Sequence, residues 1–88
     1  MSEIEKEIKK LSDKVDKIDE KIVGYLNERA NLTSEIRELK TKDGLPVYDP
    51  EREEEIFGKL TQFNSGPLSN SAIRKIYEKI LDVMKNMI

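Results

Sequence analysis

The chain contains neither cysteine nor histidine among its 88 residues. The first absence excludes a disulfide framework and any thiolate ligand or nucleophile. The second removes the usual zinc ligand and the commonest general base near neutral pH. No apolar run approaches the roughly 20 residues of a membrane span, and the N-terminus lacks a signal-peptide core. Nor is there an excess of one charge. Charged residues make up 39% of the chain but cancel to a net −2, with both signs interspersed. A nucleic-acid footprint would need a clustered basic face. These absences predict a soluble, cytoplasmic protein that binds neither nucleic acid nor membrane.

What is present is periodicity. Hydrophobic residues are only 36% of the sequence, few for a monomeric core in so short a chain. Yet Ile4, Ile8, Leu11, Val15, Ile18 and Ile22 step by four and three, the stagger of a helical seam. Ser2 and Glu5 form an S-x-x-E capping box that opens the helix. The stagger continues through Tyr25, Leu32, Ile36 and Leu39 until Asp43-Gly44 and Pro46 stop it. Such a helix is about 60 Å long at 1.5 Å per residue. The rest of the chain cannot cover it from one side, which points to a partner subunit, first of all a homodimer. Gly24, mid-helix, reads as a tolerated surface glycine costing about 1 kcal/mol.

Asp49-Pro50 supplies an N-cap and a first-turn proline for a second helix carrying Ile56, Phe57, Leu60 and Phe63. NSGPLSN is a breaker cluster. Asn70 or Ser71 then opens a third helix with Ile73, Ile76, Tyr77, Ile80, Val83, Met84 and Met87 on its inner face. No alternating strand pattern occurs, so the fold class is all-α, with one long helix and two short ones in a single domain, residues 1–88.

Several charges face the wrong way. Arg29 occupies a seam position where an aliphatic residue belongs. Lys40 follows eleven residues later, about 20° off the same face and roughly 16 Å along the axis. Buried cations are costly unless neutralised, and the pair would frame a small anionic ligand. Arg29 alone also fits a register-setting polar residue or an internal pair with a carboxylate such as Glu53. In the Asp49-Pro50-Glu51-Arg52-Glu53 run, capping and the helix dipole explain the acids. They do not explain Arg52, a cation at the positive end of a helix, so Arg52 and Glu53 are the residues of this run with something left to explain. Cations Arg29, Lys40 and Arg52 beside Asp49 and Glu53 suit a site that holds an anionic substrate in one conformation and stabilises developing charge. That toolkit is poor for acyl transfer and adequate for a unimolecular rearrangement.

The run IDEKIVGYLNERANLTSEIRELK followed by LPVYDPEREEEI resembles the all-helical class of chorismate mutases across nearly the whole chain. The resemblance implies an intertwined helical homodimer of three-helix subunits. It also implies conversion of chorismate to prephenate in aromatic amino-acid biosynthesis, with no cofactor or metal. By position, Arg29 matches the arginine binding a substrate carboxylate. Lys40 matches the lysine at a carboxylate and the ether oxygen of the breaking C–O bond. Asp49 and Glu53 match acceptors near the ring hydroxyl, and Arg52 a cation at the site's edge. The tail NSGPLSNSAIRKIYEKI resembles the domains fused to a class of DAHP synthases, implying a domain that stands alone or has been excised from such an enzyme.

Two positions depart from the pattern. Ser12 stands where the family carries an arginine that reaches into the partner's site, and a lysine nearby would lack its fork. Ile88 falls where a glutamine or glutamate meets the ether oxygen, and Met84 at a neighbouring serine-like position. Asn86 comes into play only under a shifted alignment. Each lost charge-assisted contact is worth roughly 1.5–3 kcal/mol, tenfold or more in rate. The expectation is therefore a chorismate mutase with weakened activity. The alternatives are a non-catalytic regulatory or ligand-sensing domain associated with DAHP synthase, an isochorismate pyruvate lyase, or a structural coiled-coil dimer.

Overall fold

Every helix begins where a side-chain oxygen takes up a backbone N–H that the helix itself cannot satisfy. A computed structural model describes residues 2–87. It has three helices in order, α1 (Glu3–Lys42), α2 (Pro50–Phe63) and α3 (Asn70–Lys85), and no strand among the described residues. The Ser2 hydroxyl accepts from the Glu5 N–H at 3.1 Å, so α1 starts at the expected cap. Asp49 accepts from the Arg52 N–H at 3.1 Å, with Pro50 in the first turn of α2.

α3 begins at Asn70, one of the two expected openings, and its cap is the residue before it. Ser69 is the N-cap, its hydroxyl accepting from the Ala72 N–H at 3.0 Å. Ser69, Asn70 and Ser71 can all cap a helix, so composition alone does not choose among them. Tertiary contacts do. The Asn70 side-chain oxygen is taken by the Asn64 amide at 2.8 Å. That amide also donates to the Leu68 carbonyl at 2.9 Å, while Asn64 Oδ1 accepts from the Gly66 N–H at 3.1 Å. One asparagine thus ties the connection between α2 and α3 together.

The stop of α1 is equally specific. Gly44 has φ of 68°, the left-handed conformation that glycine adopts without a Cβ clash. The Gly44 N–H reaches the Thr41 carbonyl at 3.3 Å and the Leu45 N–H reaches the Lys40 carbonyl at 2.8 Å. This paired arrangement is the Schellman closure of a helix C-terminus.

The backbone forms two compact units, Met1–Glu35 and Ile36–Ile88, with the boundary inside α1. In the first unit the seam lies open. Exposure runs from 48% at Ile22 to 72% at Ile4, with Leu11, Val15 and Ile18 between. Its ion pairs, Lys6–Glu3 at 3.6 Å and Lys9–Asp13 at 3.3 Å, lie one helical turn apart and add about 0.2–0.5 kcal/mol each. Gly24 is exposed, and a Cβ there would meet nothing within 4 Å.

In the second unit α2 packs on α3. Ile56, Phe57 and Leu60 from α2 and Ile73, Tyr77, Ile80 and Leu81 from α3 are half-buried, and Met84 is buried. Arg74 lies 4.1 Å from the Phe57 ring centroid and pairs with Glu54 at 3.5 Å, a second tie between the two helices. Three residues placed on the inner faces by periodicity lie outside this core. Phe63 is 81% exposed, Val83 53% and Ile76 49%. Two short helices cover only a narrow stripe of each other, and the apolar arcs written in the sequence are wider than that stripe.

An alanine at position 24 has room and a better helix propensity. Gly24→Ala is expected to stabilise the protein by about 1 kcal/mol, read as a higher urea midpoint at unchanged slope. A lower midpoint would mean that another surface closes on this position.

Candidate functional site

The end of α1 carries Lys40, and the Schellman turn holds its backbone in place. The residue is half-buried and lines an open groove with Ile36, Leu39, Lys42, Asp43 and Leu45. Two leucines and an isoleucine wall the groove, so Lys40 sits against apolar surface. Among the described residues no carboxylate pairs with it. A cation suits the negative end of a helix, and although Asp43 shares the groove, no ion pair joins it to Lys40 among the described residues.

Around α2 the candidates divide. Asp49 is exposed, and its Oδ1 is committed to the helix start through the Arg52 N–H. Arg52 has a local partner that the first-turn argument overlooked. Its guanidinium reaches Glu55 Oε1 at 2.8 Å, and Lys59 reaches the same oxygen at 3.2 Å. The Lys59 hydrogen bond and charge, followed by Arg52, hold the Glu55 carboxyl below its ordinary value. Its folded form is thus favoured at neutral pH, an advantage lost as pH falls below the usual carboxylate range. Arg52 therefore has a structural explanation besides any ligand.

Glu53 is different, with a side chain only 29% exposed. Its Oε1 lies 3.7 Å from the Lys85 ammonium, which also sits 4.4 Å from the centroid of the Tyr48 ring. The cationic partner of Glu53 is thus a lysine at the end of α3. Arg29 belongs to the first unit and is half-buried there, with Tyr25 and Leu32, its seam neighbours, 68% and 60% exposed.

Of the positions that depart from the family pattern, Ser12 is exposed in the first unit. Met84 is buried at 6% exposure and serves the core. The Asn86 amide caps α3, donating to the Asp82 carbonyl at 2.8 Å. Ile88 lies outside the described residues.

One residue was missed by pattern reading altogether. The Arg37 guanidinium donates to the carbonyls of Met87 at 2.7 Å, Lys85 at 2.9 Å and Met84 at 3.2 Å. It thereby satisfies the free carbonyl end of α3 and meets the helix dipole with a positive charge. Nothing periodic marks it, because its partners are backbone atoms 47 to 50 residues away. The second unit thus presents Lys40 in a groove, a half-buried carboxylate at Glu53 paired with Lys85, and a helix end fixed by Arg37. Fixed charges of both signs, with no nucleophile or titrating base, can bind and orient an anion bearing hydroxyl groups.

Comparison with known proteins gives this arrangement a family. The family described as chorismate mutase type II matches residues 11–87. The bifunctional chorismate mutase/prephenate dehydratase of Aquifex aeolicus is 43% identical over 79 residues, 85% of this chain and 22% of that protein. A chorismate mutase of Methanocaldococcus jannaschii is 40% identical over 47 residues, covering 53% of this chain and 48% of that one. Among solved structures, a chorismate mutase of Thermus thermophilus, in its form II, superposes with a TM-score of 0.90 at 40% identity, covering 92% of each chain. The chain spans about a fifth of the length of the bifunctional relative, 22%. The likeness of the tail to domains fused to DAHP synthase finds no support in these relatives, since the bifunctional one joins its mutase to a prephenate dehydratase.

Removing the Arg37 grip tests its weight. Arg37→Ala is expected to lose about 2 kcal/mol of stability, the scale of hydrogen bonds to a charged group. Faster amide exchange confined to the last turn of α3 should accompany the loss. Lysine at this position keeps the charge but not the fork, and should recover less than half of it.

Proposed function

This chain belongs to the type II chorismate mutase family, and we propose that it converts chorismate to prephenate. The observation that carries the proposal is Lys40, a half-buried cation in an open groove with no carboxylate partner among the described residues. The reaction is a unimolecular Claisen rearrangement in which one ether C–O bond breaks as one C–C bond forms. No proton, cofactor or co-reactant enters, which accords with a chain lacking histidine and cysteine. Catalysis then comes from holding the dianion in its chair-like form and stabilising negative charge on the ether oxygen. Lys40 supplies that stabilisation. Arg29 binds a carboxylate, Glu53 and Asp49 accept from the ring hydroxyl, and Arg52 lies at the edge, its charge shared with Glu55.

The working form in this proposal is an intertwined homodimer in the cytoplasm. The open seam from Ile4 to Ile22 supports it, because a lone chain with Met84 as its buried residue among those described has too little core to be stable. Association with a DAHP synthase rests solely on the tail's resemblance. Elimination of pyruvate from isochorismate is the enzymatic runner-up on the same site. A regulatory, ligand-sensing role is the second reading, favoured by Ser12 and by the buried, apolar Met84 at the serine-like position.

Loss of chorismate absorbance with prephenate as product tests the activity. Saturable turnover is expected, with Lys40→Gln lowering kcat by roughly 100-fold or more. Arg29→Ala should abolish chorismate binding while sedimentation still gives twice the 10.2 kDa subunit mass. A changed oligomeric state in that variant would make Arg29 a register-setting residue instead. Binding without turnover would establish the regulatory reading.

The gap at position 12 gives a separate test. Ser12→Arg is expected to raise kcat/KM about tenfold, the scale of one restored charge-assisted contact. An unchanged value would mean that the site is already complete without it.

A further inference from the structure

Lys85 ends α3, and a cation there fits the helix dipole. The dipole does not explain where its side chain goes. The ammonium crosses to the first turn of α2, 3.7 Å from Glu53 Oε1, and rests 4.4 Å from the centroid of the Tyr48 ring. Its side chain is 46% exposed and that of Glu53 29%, against 65% and 56% for the Lys9–Asp13 surface pair. The contact is therefore less solvent-screened than that ordinary helix-surface pair. The backbone of Lys85 is held as well, since its carbonyl accepts from Arg37 Nη2 at 2.9 Å. On the other side, the Glu53 N–H is bonded to the Asp49 carbonyl at 3.2 Å.

We propose that Lys85 is a positioning residue for Glu53, and that Arg37 sets Lys85 by gripping its carbonyl. The proposal rests on the assignment of Glu53 as the acceptor for the substrate's ring hydroxyl. A glutamate side chain has several rotatable bonds, and ordering it on binding would cost conformational entropy. Lys85 removes that freedom beforehand by holding one carboxylate oxygen. The other oxygen, with its own lone pairs, stays available to a hydroxyl donor. The Tyr48 ring adds a cation–π contact that keeps the ammonium from swinging into water. Neither Lys85 nor Tyr48 touches the reacting atoms in this scheme. They act through Glu53 alone.

A double-mutant cycle on the full chain tests this, with steady-state chorismate turnover as the readout. Lys85→Met is expected to lower kcat/KM roughly tenfold at an unchanged urea midpoint, and Glu53→Gln to lower it further. The double variant should be no slower than Glu53→Gln, because Lys85 has nothing to position once the carboxylate is gone. Lys85→Arg should restore most of the rate, since a guanidinium can still hold one oxygen. Multiplying losses in the double variant would overturn the proposal by showing that Lys85 acts on the ligand directly. An unaffected Lys85→Met enzyme would overturn it too, as would a loss of rate that tracks a fall in the urea midpoint. An active wild type with any of those results refutes the role of Lys85 alone. A folded wild type that leaves chorismate unchanged refutes both this role and the proposed function.

Discussion

From Ile4 to Ile22 the side chains that would make a core in a larger protein stand 48% to 72% exposed. Each fully buried aliphatic side chain is worth about 1.5–3 kcal/mol, so leaving this row in water forfeits much of what the chain has to offer. For a helix of 40 residues such as α1, most of the stability comes from packing its apolar face rather than from propensity. Covering that face is the constraint to which the rest of the molecule answers. It calls for a surface of similar length and periodicity, which is what the proposed homodimer would supply. The polar devices at the ends of the helices then have a different task. They fix where each helix begins and stops, so that a seam spaced by three and four keeps its phase.

The second unit shows how a small apolar core is supplemented by charge. Met84 is the residue buried there among those described, and α2 and α3 present only narrow stripes to each other. Arg37 adds three hydrogen bonds at the point where α3 would otherwise fray. Arg74, near the start of α3, ties it to α2 through Phe57 and Glu54, and Lys85, at its end, through Glu53. Partly exposed ion pairs contribute modestly to stability. Their larger effect is on geometry, because each restricts a long side chain to one direction. A site made of charges benefits from that restriction more than a core does.

Much of the architecture was legible in the sequence, and the reasons are local. Ser2, Asp49-Pro50 and Asp43-Gly44 each act on atoms within a few residues, so their consequences can be worked out without the fold. Where several residues compete for one role, the local rules stop short. Ser69 caps α3 while Asn70 is drawn away by Asn64, a choice made by tertiary contacts. Phe63 fits the helical pattern yet lies 81% exposed, because periodicity gives a face and not the partner that would cover it. The candidate site divides in the same way. Arg29 and Lys40 stood out as charges on one inward face, and both are half-buried. Arg52 stood out too, but an ordinary pair with Glu55 one turn away accounts for it. Arg37 and Lys85 did not stand out, since a surface arginine and a lysine in a last turn need no explanation until their distant partners are known.

A reaction that moves no proton changes what a protein must provide. General acid–base catalysis needs a group that titrates near the working pH, and this chain has no histidine to supply one. A rearrangement within a single dianion instead needs charges that do not change during the event and do not wander before it. Preorganised groups cost no reorganisation as charge shifts toward an ether oxygen. A lysine at a helix end satisfies that need if its backbone is locked, and the closure from Leu45 to the Lys40 carbonyl locks it. A glutamate satisfies it if its carboxylate is restricted, and the Lys85 ammonium lies 3.7 Å from one Glu53 oxygen. Apolar surroundings add to the effect. Ile36, Leu39 and Leu45 wall the groove around Lys40, and a charge–charge interaction that is weak in water strengthens as the local dielectric falls.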